Sequence, residues 1–212
     1  MPGRRLIAYI DGLNLYHGLR QTMGHRWLWL DVVELVRSLR PASDLVRVNY
    51  YTAMTVESPD AQSRQQNYLK ALAAANPAEL RIQTGRYQRR SHLCENCGHK
   101  RVVYEEKETD VHVGAQLVAD AVLARMDDAL VVSGDADYLP AIRIAQAAAP
   151  GVRLVGGFPP GRVSKRIQAA LPASFVIGEA KIRRAQLPDT VLDGPWAYAR
   201  PAKWSAPPNP AS

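Results

Sequence analysis

Along the chain, short apolar runs alternate with segments whose apolar residues recur every three or four positions. Leu6-Ile7-Ala8-Tyr9-Ile10 is a buried-strand run. Between Asp31 and Arg40, the positions of Val32, Val33, Leu35, Val36 and Leu39 predict a helix, which Pro41 and Ser43 break. Leu45 to Met54, rich in Val and Tyr, predicts a second strand. Ala61 to Ala75 predicts a helix ended by Asn76-Pro77, and Leu80 to Tyr87 a third strand. After an interruption at 89–100, residues 101–106 resume a strand pattern. Thr109 is placed to cap a helix from Asp110 to about Met126, with Val111, Ala115, Val118, Ala119 and Val122 as its apolar face. Ala129-Leu130-Val131-Val132 is a continuous apolar strand of the kind buried inside parallel sheets. A helix over 138–149, a strand over 152–155, a short helix over 164–171 and a strand over 174–177 complete the series.

Alternating strands and helices predict an α/β fold with a mostly parallel sheet covered on both faces. The predicted domain spans residues 1–184, with a small Cys/His insert over 88–101. Six of the 15 prolines follow Ala185, so 185–212 is expected to be an extended tail, with Trp196 and Trp204 as residues that would dock.

Composition narrows the function classes. The 212-residue chain carries a net charge of +7, which suits an anionic partner such as nucleic acid and equally a merely basic soluble protein. It has no apolar run of membrane-spanning length, so no membrane role is expected. The start of the chain lacks the long apolar stretch of a secretory signal, so a cytoplasmic setting is expected. Two cysteines exclude a disulfide framework.

Three stretches carry acids at a strand end or a helix start. Asp11 follows the first strand directly, with Gly12 for a turn and Asn14 three residues on. Ligands of open parallel sheets bind beyond the carboxyl ends of strands, so Asp11 is well placed for one, although it also fits a helix cap. Ser133-Gly134-Asp135-Ala136-Asp137 follows the late buried strand. Two carboxylates that close repel, so either one is protonated or a cation sits between them. Asp110 opens a helix, where the dipole favours negative charge on its own account. Brought to one rim, Asp11, Asp110, Asp135 and Asp137 would present hard oxygen ligands that select Mg²⁺ or Mn²⁺. A phosphatase of the haloacid-dehalogenase kind fits less well, because its Asp-x-Asp follows the first strand and here Leu13 occupies that position.

Together, Asp11-Gly12-x-Asn14, Glu106-Lys107-x-x-Asp110 and Ser133-Gly134-Asp135-x-Asp137-Tyr138 resemble the NYN domain, a branch of the PIN-like nucleases, and look closest to its bacterial LabA-like group. The resemblance implies a Rossmann-like three-layer α/β/α sandwich. It implies a metal-dependent endoribonuclease that cuts RNA with metal-activated water. On it, the four aspartates bind Mg²⁺ or Mn²⁺ or activate water, Asn14 and Ser133 orient a metal water or phosphate oxygen, and Lys107 contacts phosphate. LabA-like relatives often have Gly where this chain has Glu108; the reading favoured here is that Glu108 caps the helix. A catalytically silent RNA-binding protein is the alternative, and a homodimer is left open.

The insert places His92, Cys94, Cys97 and His99 within eight residues, the donor types of a structural Zn²⁺ site, although the second half of the usual zinc pattern is missing. Arg89, Arg90 and Arg101 flank it with Tyr87 and Tyr104. Basic residues interleaved with aromatics suit single-stranded nucleic acid, while a solvated hairpin face is the bland reading of the same charges.

Overall fold

A computed structural model describes residues 3–93 and 96–205. Its centre is a seven-stranded sheet with strand order β4-β3-β2-β1-β5-β6-β7. In chain order the strands are β1 (Arg4–Asp11), β2 (Ser43–Ala53), β3 (Leu80–Leu93), β4 (Lys100–Lys107), β5 (Asp128–Val132), β6 (Arg153–Phe158) and β7 (Ala173–Val176). All neighbours are parallel except β3 and β4, which form an antiparallel arm at one edge. The expected α/β sandwich is therefore the observed fold.

Alternation along β1 divides the core. Leu6, Ala8 and Ile10 face one cluster and Ile7 and Tyr9 the other, as the two-residue period of a strand requires. Over the first face lie α1 (Gly12–Met23), α2 (Val32–Leu39), α3 (Pro59–Ala75) and α7 (Glu179–Arg184). Over the second lie α4 (Thr109–Val122), α5 (Leu139–Ala148) and α6 (Lys165–Ala170). No helix among the described residues is long and apolar enough to cross a membrane.

Strand order reverses between β1 and β5. The chain leaves β1 toward β2 on one side and later returns to add β5 on the other. Connections diverge there, which opens a crevice at the carboxyl ends of the two strands. Asp11 is the last residue of β1, and Ser133 follows the last residue of β5.

Besides β3 running on to Leu93 inside the expected interruption and α7 forming where no helix was read, the structure departs from the sequence reading in three places. First, α1 forms after Asp11, a helix that the sequence offered only through the alternative reading of Asp11 as a cap. Its two glycines and thin apolar stripe, with Leu15 and Leu19 buried, weaken the signal. Second, α4 buries Val113, Leu117, Asp120 and Ala121. Val111 and Val122 of the expected face are 72% and 56% exposed. Third, the expected extended tail folds through Ser205. β8 (Thr190–Asp193) and β9 (Trp196–Ala199) form a hairpin, and Trp204 docks against Trp29 and Tyr68. Of the two tail tryptophans, Trp204 is buried and Trp196 is exposed.

Candidate functional site

Asp11 terminates β1 and caps α1, its Oδ1 accepting the Asn14 backbone N–H at 2.9 Å. Oδ1 is therefore the helix cap, and Oδ2 is engaged separately. Ser133 Oγ donates to Oδ2 at 3.0 Å, and the Tyr138 hydroxyl lies 3.1 Å from it. Asn14 in turn uses its side-chain Oδ1 to accept the Gly134 N–H at 2.9 Å. Ser133 Oγ accepts the Asp135 N–H at 3.0 Å. Asn14 and Ser133 thus splice the turn after β1 to the loop after β5.

Tyr138 is the hub of this network. Its hydroxyl also lies 2.8 Å from Asp110 Oδ1, at the start of α4. One hydroxyl has one proton, so it can donate to only one of the two carboxylates at a time. The carboxylate that it does not serve can take a proton or a cation in its place. Burial raises the pKa of Asp11 despite its hydrogen bonds. Burial also raises that of Asp110, and Asp135, Glu106 and Asp137 add to the rise. Three elements separated in sequence thus place their acids in one field. Asp135 caps the short 3-10 turn that follows, accepting the Asp137 N–H at 3.0 Å, and Asp137 is exposed.

Among the described residues, no three His, Cys, Asp or Glu side chains stand as a ready-made metal set. The donor chemistry nevertheless fits a hard divalent ion: carboxylates, no arginine ion-paired to any of the four aspartates among the described residues, and two acids, the buried Asp11 and the exposed Asp110, held toward their protonated forms.

The loop after β5 is pinned from outside. A Cβ at Gly134 would stand 1.8 Å from the Arg162 carbonyl oxygen, so only glycine lets the two backbones approach. Position 108 has the opposite history. Glu108 is at the N-cap of α4 with φ 84°, in the left-handed region that favours glycine, and its carboxylate caps nothing. It pairs with Arg86 instead. The capping expected of Glu108 falls to Glu106, which accepts from the Thr109 N–H at 3.1 Å and from its hydroxyl.

The basic residues divide. Lys107 and Arg90 both pair with Glu105, at 3.0 and 3.2 Å. Arg89 is exposed on the arm beside the register position of Tyr104. His92, Cys97 and His99 are exposed at the arm's tip, while Cys94 and the Arg101 side chain lie outside the described residues. Tyr138, Glu106 and Arg162 had no role assigned from the sequence. The first two stood inside the quoted motifs; Arg162 carried no signal.

A family model described as NYN domain matches residues 5–177. Among curated proteins, the chain is similar to 6-hydroxy-3-succinoylpyridine 3-monooxygenase HspA of Pseudomonas putida, 26% identical over 178 residues. That match covers 68% of this chain and 56% of the relative, so the chain spans little more than half the relative's length. Among solved structures, a protein of unknown function, VPA0982 from Vibrio parahaemolyticus, aligns with a TM-score of 0.59 at 15% identity, covering 84% of this chain and 94% of that one. This second likeness concerns the fold alone.

Proposed function

The chain belongs to the NYN domain family, and from that premise we propose that it is a metal-dependent endoribonuclease acting at the rim of Asp11, Asp110, Asp135 and Asp137. The observation that supports the reading best is the meeting of Asp11 and Asp110 at the Tyr138 hydroxyl, in the crevice where strand order reverses. Acids gathered there without an arginine partner favour a cation.

In this reading Asp110, Asp135 and Asp137, with Asp11 behind them, hold Mg²⁺ or Mn²⁺. A bound divalent ion supplies charge neutralisation at the phosphate and a lowered pKa for water. The protein's own groups do the rest. Tyr138 fixes the Asp11 and Asp110 carboxylates by its hydroxyl. Asn14 and Ser133 act as positioning residues, because their polar atoms are spent holding the Asp135 loop to the Asp11 turn. Arg89, exposed on the arm, holds flanking backbone phosphate.

The test is cleavage of single-stranded RNA with Mn²⁺ or Mg²⁺, with and without chelator. Asp135→Asn is expected to lower the rate on the order of 10²-fold or more. Equal cleavage by wild type and variant overturns the assignment. Salt-dependent RNA binding with no metal-dependent cut identifies instead a silent binding protein.

The printed name of the Pseudomonas relative supports a second reading, an enzyme of a small aromatic acid. One observation favours it: a ring-lined cationic pocket beside the Asp11 turn, lined by Tyr16, Arg64 and Trp204 among others. Loss of a hydroxypyridine acid supplied with O₂ and a nicotinamide reductant checks it.

A further inference from the structure

That pocket lies across the Asp11 turn from the acid rim. Gly12 and Leu13 form part of its wall, directly after Asp11. The remaining walls come from α1, β2, α3, the base of the β3–β4 arm and the docked Lys203-Trp204 segment. Its volume is about 290 Å³, at the small end of the range of roughly 300–1,000 Å³ usual for small-molecule sites. A space of that size takes one ring and its substituent.

The lining has two characters. Tyr16, Tyr87, Tyr104 and Trp204 bring aromatic rings from four separate segments. Arg20, Arg64 and Lys203 bring positive charge, against the single carboxylate of Glu57. Arg20 is paired with Glu57 at 3.5 Å. The Arg64 and Lys203 side chains have no ion pair or hydrogen bond among the described residues. All three cations line the pocket with His25, whose pKa burial lowers and whose surroundings Lys203, Arg20 and Arg64 make more positive against Glu57. With Arg20 offset by Glu57, the half-buried Arg64 and the exposed Lys203 are the cations left to attract an anion. Rings around the pocket favour a partner with a flat π-face.

We propose that this pocket binds a flat aromatic ring bearing an anionic group, the ring between the tyrosines and Trp204 and the anion at Arg64 and Lys203. This site is separate from the acid rim, and its occupancy is independent of whether the rim cuts RNA. The chemistry has two sources. One is a nucleotide of a strand whose backbone continues to the rim. The other is a free aromatic acid.

Calorimetry on the full chain, in chelator so that nothing turns over, tests the proposal with five compounds. 5′-UMP and 5′-AMP carry ring and anion as a strand would, and nicotinate carries them as a free acid. Uridine has the ring alone and inorganic phosphate the anion alone. At least one of the first three is expected to bind about tenfold or more tighter than either half. Arg64→Ala and Tyr104→Ala are each expected to weaken that binding by about tenfold. Tyr104 is 47% exposed, so its truncation leaves the fold intact even where an α3 variant does not. Preference for the mononucleotides assigns the pocket to a strand, and preference for nicotinate assigns it to a free acid; both support the site. No binding by any compound, halves that bind as well as wholes, or binding unchanged in both variants overturns it. Failure of RNA cleavage, measured separately, leaves this result standing.

Discussion

Two groups of aspartates sit on the second face of the sheet and at its ends, and they are treated in opposite ways. Asp120, Asp127 and Asp128 are each gripped by arginine: Asp120 by Arg47 and Arg125, Asp127 by Arg5, and Asp128 by Arg4, Arg40 and Arg153. Asp11 and Asp110 have only a shared tyrosine hydroxyl, a serine and a backbone N–H. Asp110 and Asp120 even lie on one helix, ten residues and about 15 Å apart along its axis. Burial opposes the charge of Asp120, but Tyr9, Gln116, Arg47 and Arg125 overcome it and hold its pKa below the usual carboxylate range. At Asp11 and Asp110 burial wins and the pKa rises. A fold that supplies arginines to three acids and withholds them from others has built two kinds of site. The gripped acids hold the protein together; the ungripped ones are kept in tension with their surroundings.

The largest effect expected is in catalysis, the loss on Asp135→Asn described above, with little change in melting temperature. Next is Asp120→Ala, which leaves Tyr9 and Arg47 facing a buried void. It is expected to destabilise by about 3 kcal/mol or more, checked by urea unfolding. Asp128→Ala releases three arginines that are partly exposed and can rehydrate, so roughly 2 kcal/mol is expected. An Asp120 variant that melts with wild type while Asp110→Asn unfolds would invert the comparison.

Acidity separates the groups again. A carboxyl with a lowered folded pKa contributes stability above the unfolded value near 4, and that stability is lost as pH falls through the folded value. Asp120→Asn should therefore flatten the acid limb of the melting curve below about pH 4. Asp110 has the opposite sign: its raised pKa makes the folded state costlier as pH rises past the ordinary carboxylate range. Asp110→Asn should equal or exceed wild type in melting temperature at pH 7, with the difference shrinking toward pH 4. A variant that melts well below wild type at pH 7 contradicts this. The smallest effect is at position 108. Glu108→Gly relieves a left-handed φ and should stabilise by about 1 kcal/mol, less the small loss of an exposed pair with Arg86.

The central strands β1 and β5 were legible because they are continuous apolar runs between turn signals, and those signals need no long-range knowledge. The face of α4 was misread for a related reason. The buried stripe contains Asp120, which looks like a solvent residue until Arg47 and Arg125 are seen to hold it. The alternative stripe, Val111, Ala115 and Val122, is apolar throughout and is left outside. The tail was misread because prolines suggested an open chain, whereas Trp204 finds Trp29 and Tyr68 across nearly the whole sequence. The structure brings Asp11 and Asp110 together at Tyr138, and Asn14 and Ser133 tie in the Asp135 loop. In the structure Asn14 and Ser133 hydrogen-bond the Asp135 loop to the Asp11 turn, and Lys107 is paired to Glu105. Those roles depend on which atom of each side chain is already engaged, and sequence carries no record of that.

The antiparallel arm gives the fold a detachable limb. Its rungs near the sheet, Arg86 opposite Lys107 and Tyr87 opposite Glu106, fix where the chain re-enters and hence where α4 starts. Everything beyond those rungs can lengthen, shorten or be exchanged without shifting the acid at position 110. The arm is therefore the place where a lineage, or an engineer, can change what the protein grasps while leaving the machinery beneath it untouched.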